Sequence, residues 1–366
     1  MLSRIRMLSP IHLGGLSVFL LAIASILLAP VDGLSQTLPK VTVRRVDLTE
    51  KLRTGRWDTL DAELSAYEMK AEKDPRFEMN AMVAFGAFNA ASELIGARLD
   101  DWVKAAPNSY AARVARATCY VAIAQRWRGN GWAGDVPKAN MEQMEKDLHV
   151  AVRDATEAIK IHPNLAPAYA LRIKAARIGG SSDELARAKS DALSMVPGSF
   201  DVREQIMYAL RPRWGGTRQE MQQLADSSQQ YAADNPAMRF LKGWVTLDEA
   251  DDLADAGKWQ DAVDKYTQAI QIGGEYWTTY RRRANAYYAM QQWQKAVDDG
   301  IRSDELYPGY SETLKLLAYA TAHNSQPDAS TLYLADYLRH DTPQPELFAL
   351  LKSDQAELKA QGKENW

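Results

Sequence analysis

Two irregular segments carry the residue types best suited to binding chemistry. Residues 126–140 read RWRGNGWAGDVPKAN, and residues 211–217 read RPRWGGT. Both are too rich in glycine and proline to continue a helix, and loops on a rigid scaffold often supply binding residues. We expect them to line a pocket through seven residues: Trp127, Arg128, Trp132, Arg213, Trp214, Gly215 and Gly216. The alternative is an insertion that only covers apolar surface.

The second segment also has the composition of an anion site. Thr217 is predicted to cap the helix that follows, and backbone amides at a helix start bind anions. Arg211, Arg213 and Arg218 would add positive charge there. The competing interpretation is a structural loop in which these arginines pair with neighbouring Asp and Glu side chains.

The residues required for catalysis or metal binding do not occur at a useful spacing. Cys119 is the single cysteine and lies in an apolar stretch, where we expect it to be buried. Neighbouring acids such as Asp298 and Asp299 are typical of a helix surface. The five histidines form no HxxxH or HExxH pair: His12, His149, His162, His323 and His340. We therefore predict a non-catalytic protein with no catalytic, metal or cofactor residues, and keep an enzyme acting at the two loops as the alternative.

The overall composition limits the classes of partner. The chain has 366 residues, of which 46% are hydrophobic and 25% are charged, as expected for a protein that is mostly folded. Its formal net charge is -3, and nucleic-acid binding usually requires a basic domain or stripe. We therefore predict no nucleic-acid partner.

A repeat of 34 residues indicates which elements position these loops. Between Gly243 and Pro308 one pattern occurs twice, and a period of about 34 is typical of stacked helix-turn-helix units. The turn at residues 55–57 has the form of the turn at residues 257–259, which extends the array backwards. The matching residues are Ala250, Leu253, Trp259, Ala262 and Gly274, followed by Ala284, Tyr287, Trp293, Ala296 and Pro308. The predicted fold is all-α, a right-handed solenoid of stacked antiparallel helix pairs.

These residues resemble two known groups of proteins. The globular part of the chain resembles the tetratricopeptide-type (TPR-like) α-hairpin superfamily. Residues 55–236 are similar to an uncharacterised bacterial family of unknown function, marked by an Arg-Gly-x-Gly-Trp-Ala stretch at 128–133 and a Trp-Gly-Gly loop at 214–216. The resemblance implies the architecture and a shared site between the loops, but no reaction. Gly300 departs from the pattern, since Tyr266 occupies that position one unit earlier, and this leaves the packing of that helix open.

The resemblance to TPR-like repeats also implies a groove for an extended peptide. Such grooves are lined by the first helix of each unit, and residues four apart lie on one helix face. The implied groove residues, arranged to hold a peptide carboxylate, are Arg281, Asn285, Tyr288, Lys315 and Tyr319. The alternative treats residues 281–283 as a solvated charge run that pairs with Asp298, Asp299 or Asp304.

The N-terminus predicts export. Arg4 and Arg6 precede the uncharged run 13–29, LGGLSVFLLAIASILLA, which is the layout of a secretory signal peptide. Seventeen residues lie at the lower limit for spanning a bilayer, so an uncleaved membrane tether is the alternative. The absence of an Asn-x-Ser/Thr sequon after this run favours a bacterial periplasm. We predict a protein that is soluble there after cleavage or anchored in the inner membrane.

These features divide the chain into four segments. Residues 1–33 are predicted to be a signal peptide or anchor, 34–47 a linker, 48–236 an irregular α-hairpin domain, and 237–366 TPR-like repeats with a C-terminal cap. The predicted function is that of an exported scaffold that binds a protein or peptide partner in the cell envelope. The alternatives are an enzyme or small-ligand-binding protein using the loops, and a membrane-tethered structural subunit.

Overall fold

The helical periodicity of the sequence produces helices throughout the described chain. The computed structural model describes residues 37–129, 131, 133–340 and 345–361. Within these ranges there is no β-strand, which confirms the all-α class. The predicted signal peptide or anchor and Trp132 lie outside the described residues. The helices are α1 Arg45–Arg53, α2 Trp57–Lys73, α3 Glu78–Gly86, α4 Glu93–Ala105, α5 Tyr110–Arg128, α6 Lys138–Ile161, α7 Ala166–Gly179, α8 Ser182–Met195, α9 Phe200–Ala209, α10 Arg218–Ser228, α11 Trp244–Asp255, α12 Trp259–Gly273, α13 Trp277–Ala289, α14 Trp293–Leu306, α15 Ser311–His323, α16 Pro327–His340 and α17 Pro345–Ala360.

The repeated turn joins consecutive helices into hairpins in one recurring geometry. Gly257, Gln291 and Ser325 lie 34 residues apart, and each adopts a left-handed backbone with φ of 72°, 59° and 57°. The next residue in each turn donates its amide to a carbonyl five residues earlier, always at 2.9 Å. Gly55 forms the same turn between α1 and α2, with φ of 71°. The repeat therefore extends to a third unit, α15 and α16, where glycine is absent from the turn.

The small residues of the repeat form the contact surface between its helices. Ala250, Ala262, Ala284 and Ala296 are all fully buried, as the pattern requires. The tryptophan that follows the turn of the first unit is less buried than these alanines, because Trp259 is 36% exposed. Alanine therefore sets the close packing of the helix pairs.

Gly300 has a steric reason for replacing the larger residue of the preceding unit. A Cβ atom added there would lie 2.7 Å from Cδ2 of Leu317 on α15. A larger side chain there would require the Leu317 side chain to move, since core contacts this short are not tolerated. The departure from the repeat pattern therefore lets the third hairpin pack closely against the second.

The array curves until its first hairpin meets its last. Helix α1 contacts α16, and the Arg45 guanidinium donates hydrogen bonds to the carbonyls of Gly86 and Gly309. The Tyr307 hydroxyl donates to the Met82 carbonyl at 3.1 Å. The inner surface of the C-terminal hairpins thus faces the protein's own α3.

The segment predicted to be a linker takes part in this closure. Residues 37–44 are extended, and Val41 and Val43 are buried, so the folded part begins before Leu48. Residues from Thr37 onwards form one compact unit without a division near 236. The irregular hairpins and the regular repeats therefore share one continuous core.

Candidate functional site

A cavity of about 420 Å³ lies where the curved array encloses its own inner surface. Its walls come from α3, α5, α7 and α9 and from the first turns of α13 and α15. Both irregular and regular hairpins therefore contribute to one site. A volume of this size is within the range of ligand pockets in proteins.

One wall of the cavity is positively charged. Lys174 and Arg177 are three residues apart on α7, which places them on the same helix face. Burial lowers the pKa of Arg177 to about 10, and burial together with Arg177 lowers the pKa of Lys174 to about 8. Both groups remain cationic near neutral pH, Arg177 more completely.

Arg177 is held by aromatic faces rather than by hydrogen bonds. It is only 9% exposed, and its guanidinium carbon lies 4.7 Å from the ring centre of Trp214 and 5.6 Å from that of Tyr208. Its Nε has no acceptor. These rings orient a planar cation while leaving its hydrogen-bond donors unused.

Arg177 differs in this from the other buried arginines. Of the five buried arginines among the described residues, it alone has no hydrogen bond: the others are Arg45, Arg128, Arg203 and Arg211. A buried charge without an acceptor is costly, so proteins usually satisfy it internally. The cavity is therefore lined by a guanidinium whose N–H donors have no acceptor in the described part of the protein.

The facing wall, on α9, is acidic. The Glu204 carboxylate is buried and accepts a hydrogen bond from the Tyr276 hydroxyl, and burial raises the pKa of Glu204 to about 7. Burial, Glu204 and Glu78 raise the pKa of Asp201 well above its usual range. The cavity thus places a cationic wall opposite acids whose pKa values are raised by burial.

The two predicted loops meet beside this cavity. Arg128 is buried, donates to the Gly131 carbonyl at 2.7 Å, and lies 5.9 Å from the Trp214 ring centre. Arg213 is exposed and lies 6.0 Å from the same ring. Trp127 packs against the core with Arg126 at 5.1 Å. The structure thus brings Arg128 and Trp214 together, with Trp214 also over Arg177.

Local backbone geometry aims Trp214 at α7. Gly215 has φ of 90°, which favours glycine, and a Cβ atom at Gly216 would lie 2.3 Å from the Leu210 carbonyl oxygen. The paired glycines therefore fold the loop tightly against the end of α9. Thr217 then caps α10, because its hydroxyl accepts the Glu220 amide at 3.2 Å, as predicted.

Two of the three arginines expected to form the anion site at the start of α10 bind acids of α11 instead. Arg211 donates to Asp248 and to Asp251, both at 2.6 Å. Arg218 donates to Asp248 at 3.0 Å. These two cations are already neutralised, so the structural-loop interpretation describes them better.

The residues of the implied peptide groove have separate environments. Arg281 lies 5.5 Å from the Tyr310 ring centre beside the central cavity, whereas Lys315 pairs with Glu312 at 3.1 Å. In the same groove Asn285 is exposed, Tyr288 packs on Trp293 with ring centres 5.0 Å apart, and Tyr319 is half-buried. Lys315 therefore does not offer a free charge next to Arg281.

The charge run at residues 281–283 is mostly buried rather than solvated. Arg283 pairs with Asp299 at 2.7 Å, as the alternative interpretation expected. Arg282 pairs with Asp251 instead, across to α11. The Arg282 pair therefore joins neighbouring hairpins, whereas the Arg283 pair joins the two helices of one hairpin.

The sequence interpretation missed Lys174, Arg177 and Glu204. They lie in ordinary helical stretches with no turn signal or motif near them. Arg177 could have been noticed as a cation among the alanines and isoleucines of a predicted apolar helix face. Its lack of a partner was visible only in three dimensions.

Metal sites and membrane-spanning helices are absent from the described ranges. No group of three His, Cys, Asp or Glu side chains there is arranged to hold a metal ion. No helix among the described residues combines the length and apolar character needed to cross a membrane.

Comparison with known protein families finds one that is related to part of the chain. Residues 44–186 match the family described as Domain of unknown function (DUF4034), which confirms the predicted likeness of the N-terminal part to such a family. No curated protein matches the chain. The match covers less than half of the sequence, so it describes this region only.

Several solved structures of helical repeat proteins are similar. The structure of PilW, a widely conserved type IV pilus biogenesis factor, has 16% identity and a TM-score of 0.33, covering 63% of this chain and 98% of that one. The P58(IPK) TPR domain has 15% identity and a TM-score of 0.33, covering 87% and 98%. Yeast Tom70 has 12% identity and a TM-score of 0.36, covering 87% and 96%. The likeness concerns the fold alone.

Proposed function

We propose that this protein is an exported, non-catalytic scaffold of the cell envelope, and that it binds a protein or peptide partner by a carboxylate placed in the central cavity. The observation that carries the proposal is Arg177, a buried guanidinium without a hydrogen bond on the cavity wall. The partner-binding site is therefore placed on α7 and the Trp214 loop rather than on the predicted groove of α13 and α15.

A carboxylate is the group that best completes this wall. Its two oxygens accept paired hydrogen bonds from one guanidinium, and such charge-assisted bonds are stronger than neutral ones. Lys174, on the same helix face, supplies a second cation. Trp214 and Tyr208 already fix the guanidinium plane, so little side-chain entropy is lost on binding.

The shape of the cavity suits the end of a chain. Its rim includes the exposed Glu312, while its floor is formed by buried side chains such as Leu171 and Tyr307. A C-terminal carboxylate can enter such a cavity with few accompanying residues. An internal acidic side chain could enter only if the peptide chain on both sides of it passed through the same opening.

The experiment compares peptides that differ only at their terminus. Immobilised full-length protein is exposed to short random-sequence peptides with free carboxyl termini, and separately to the same peptides with amidated termini. We expect selective retention of the free-acid set, and Arg177→Gln should weaken it by about tenfold or more, as for loss of a hydrogen bond to a charged group. Mass spectrometry of the retained peptides measures both effects.

The matched control is Arg187→Gln, which removes the same charge from an exposed position on α8. It should bind like the unmodified protein. Equal retention of amidated peptides, or equal binding by Arg177→Gln, would contradict the proposal. If small carboxylates compete fully with the peptides, the result favours the second candidate function, a small-ligand-binding protein. The cavity volume of about 420 Å³ supports this candidate.

Export rests on the sequence of residues 1–33. Arg4 and Arg6 followed by the apolar run 13–29 support secretion, and they leave open cleavage or retention of the segment. Intact-mass measurement of the protein from the envelope fraction distinguishes a soluble periplasmic form from an anchored one. A full-length mass recovered only from cytoplasm would contradict export.

A further inference from the structure

A second cavity, of about 240 Å³, adjoins the central one and shares Met82, Pro167 and Asp201 with its lining. Its apolar wall includes Ala71, Met82, Pro167 and Val196. Its polar wall consists largely of acids, and the four that line it are Glu68, Glu72, Glu78 and Asp201. The cavity opens to solvent near the exposed Asn164. It is thus a small, half-apolar and strongly acidic space.

The acids of this wall differ in how their oxygens are satisfied. Glu78 accepts from the Ser199 hydroxyl at 2.5 Å, the Phe200 amide at 2.8 Å and the Asn235 side-chain amide at 2.5 Å. Glu72 pairs with His162 at the surface. These two carboxylates have structural partners that account for their positions.

Glu68 has no such partner. It is 2% exposed, lines the cavity, and its Oε2 has no hydrogen-bond donor. A buried carboxylate without a donor is unusual, because each unsatisfied oxygen carries a desolvation cost. The free oxygen therefore marks the position where a donor from outside the chain would bind.

We infer that this cavity binds an aliphatic primary ammonium group, with Glu68 as its principal acceptor and Asp201 beside it. An ammonium group carries three donors and one positive charge, which matches several carboxylates around a small space. The apolar side of the cavity, including Met82 and Val196, suits the methylene chain attached to such a group. Because no set of three metal-ligating side chains exists among the described residues, an organic cation fits better than a metal ion.

The empty and occupied sites differ in proton content. Burial, followed by the carboxylates of Glu72, Glu78 and Asp201, raises the pKa of Glu68 well above its usual range. The cation near this cluster is Lys174, beside Asp201, and the His162 imidazole contacts Glu72. An arriving ammonium stabilises the ionised carboxylate, so binding releases a proton. Affinity should therefore rise as the pH rises towards the raised pKa of Glu68.

Calorimetric titration of the full-length protein with n-pentylamine tests this site, with 1-pentanol as the uncharged probe of equal length. We expect the amine to bind and the alcohol to bind at least about tenfold more weakly, because a salt-linked hydrogen bond is lost. Repeating the titration in buffers with different ionisation enthalpies measures the released proton. Binding without proton release, or equal binding of both probes, would overturn the inference.

Two variants locate the site. Glu68→Gln should lose at least about tenfold in pentylamine affinity, while Asp58→Asn, an exposed acid on the same helix, should bind normally. Glu68→Asp keeps the carboxylate but shortens the side chain by one methylene. We expect its affinity for pentylamine to lie between those of the unmodified protein and Glu68→Gln. Circular dichroism confirms folding of each variant. Unchanged affinity in Glu68→Gln would exclude this cavity.

The ammonium group can belong to a free amine or to a lysine side chain. Titration with Nα-acetyl-lysine methylamide separates these sources, because its backbone must remain at the opening near Asn164. Binding equal to that of pentylamine identifies a lysine side chain, and binding of pentylamine alone identifies a free amine. Carboxylate peptides should bind Glu68→Gln normally, so failure of one site is distinguishable from failure of the other.

Discussion

The regular repeats and the irregular hairpins before them both contain paired buried charges, such as Asp154 with Arg116 in the irregular part, but they differ in the charges that line the two cavities. In the repeats, Arg282 pairs with Asp251 and Arg283 pairs with Asp299. In the irregular hairpins, Arg177 and Glu68 are buried without partners, each on the wall of a cavity. Arg281 of the repeats also lacks an ion pair among the described residues, but it does not line either cavity and lies behind Trp277 and Tyr310, 6.0 and 5.5 Å from their ring centres.

The difference separates structural charges from charges available to a ligand. A paired buried charge stabilises the arrangement of its neighbours, and removing one partner exposes the full desolvation cost of the other. An unpaired buried charge contributes no such bond and is free to bind a ligand of opposite charge. Variants of the two groups should therefore affect stability to very different degrees.

The largest effect is expected at Asp248. Its carboxylate accepts from Arg211 at 2.6 Å and from Arg218 at 3.0 Å, which joins the irregular part to α11. Asp248→Ala leaves Arg211 buried with one partner fewer and should lower the free energy of unfolding by about 3–5 kcal/mol. Guanidinium unfolding measures this change. Asp255→Asn, an exposed acid on the same helix, is the control, and a similarly small effect at both positions would refute a structural role for the network.

An intermediate effect is expected at Glu78. Its carboxylate accepts hydrogen bonds from the Phe200 amide and the Asn235 side chain, and so holds the start of α9 and Asn235 against α3. Glu78→Gln removes charge-assisted bonds and should cost about 2 kcal/mol in the free energy of unfolding. The exposed Glu145→Gln serves as control in the same denaturation measurement. If the free energy of unfolding stayed unchanged, Glu78 would have to be grouped with the unpaired acids.

The smallest effect is expected at Arg177. Arg177→Met loses the attraction to Trp214 and Tyr208 but also removes an unpaired buried charge, so the two changes offset each other. The free energy of unfolding should stay within about 1 kcal/mol of the unmodified value. The matched variant Arg211→Met should be far less stable, since Arg211 is paired. Equal losses from both variants would remove the distinction between paired and unpaired arginines.

Much of the fold could be predicted because it depends on local signals. The period of 34 residues predicted the hairpins, and Thr217 was correctly predicted to cap α10. The turns at Gln291 and Ser325 were less evident, because their left-handed backbones occur without glycine. In those turns the packing of the flanking helices overrides the residue preference.

The candidate sites were predicted less completely. The sequence pointed to the Trp214 loop, and the structure places that residue beside the central cavity. It also pointed to Lys315, which pairs with Glu312 within its own helix. Periodicity identifies the face on which a charge lies, but it carries no information about whether another element supplies the opposite charge.

The sequence alone determined the all-α class, the length of the repeat, several helix ends and the positions of the two loops. Each depends on residues within a few turns of one another. The tertiary structure decided the closure of the array through Arg45, which bonds a carbonyl 264 positions away, and it decided which buried charges are left unpaired. Pairing requires side chains from distant segments, such as Glu78 and Asn235, 157 residues apart, to meet after the chain has curved. Both cavities therefore exist only in the folded chain.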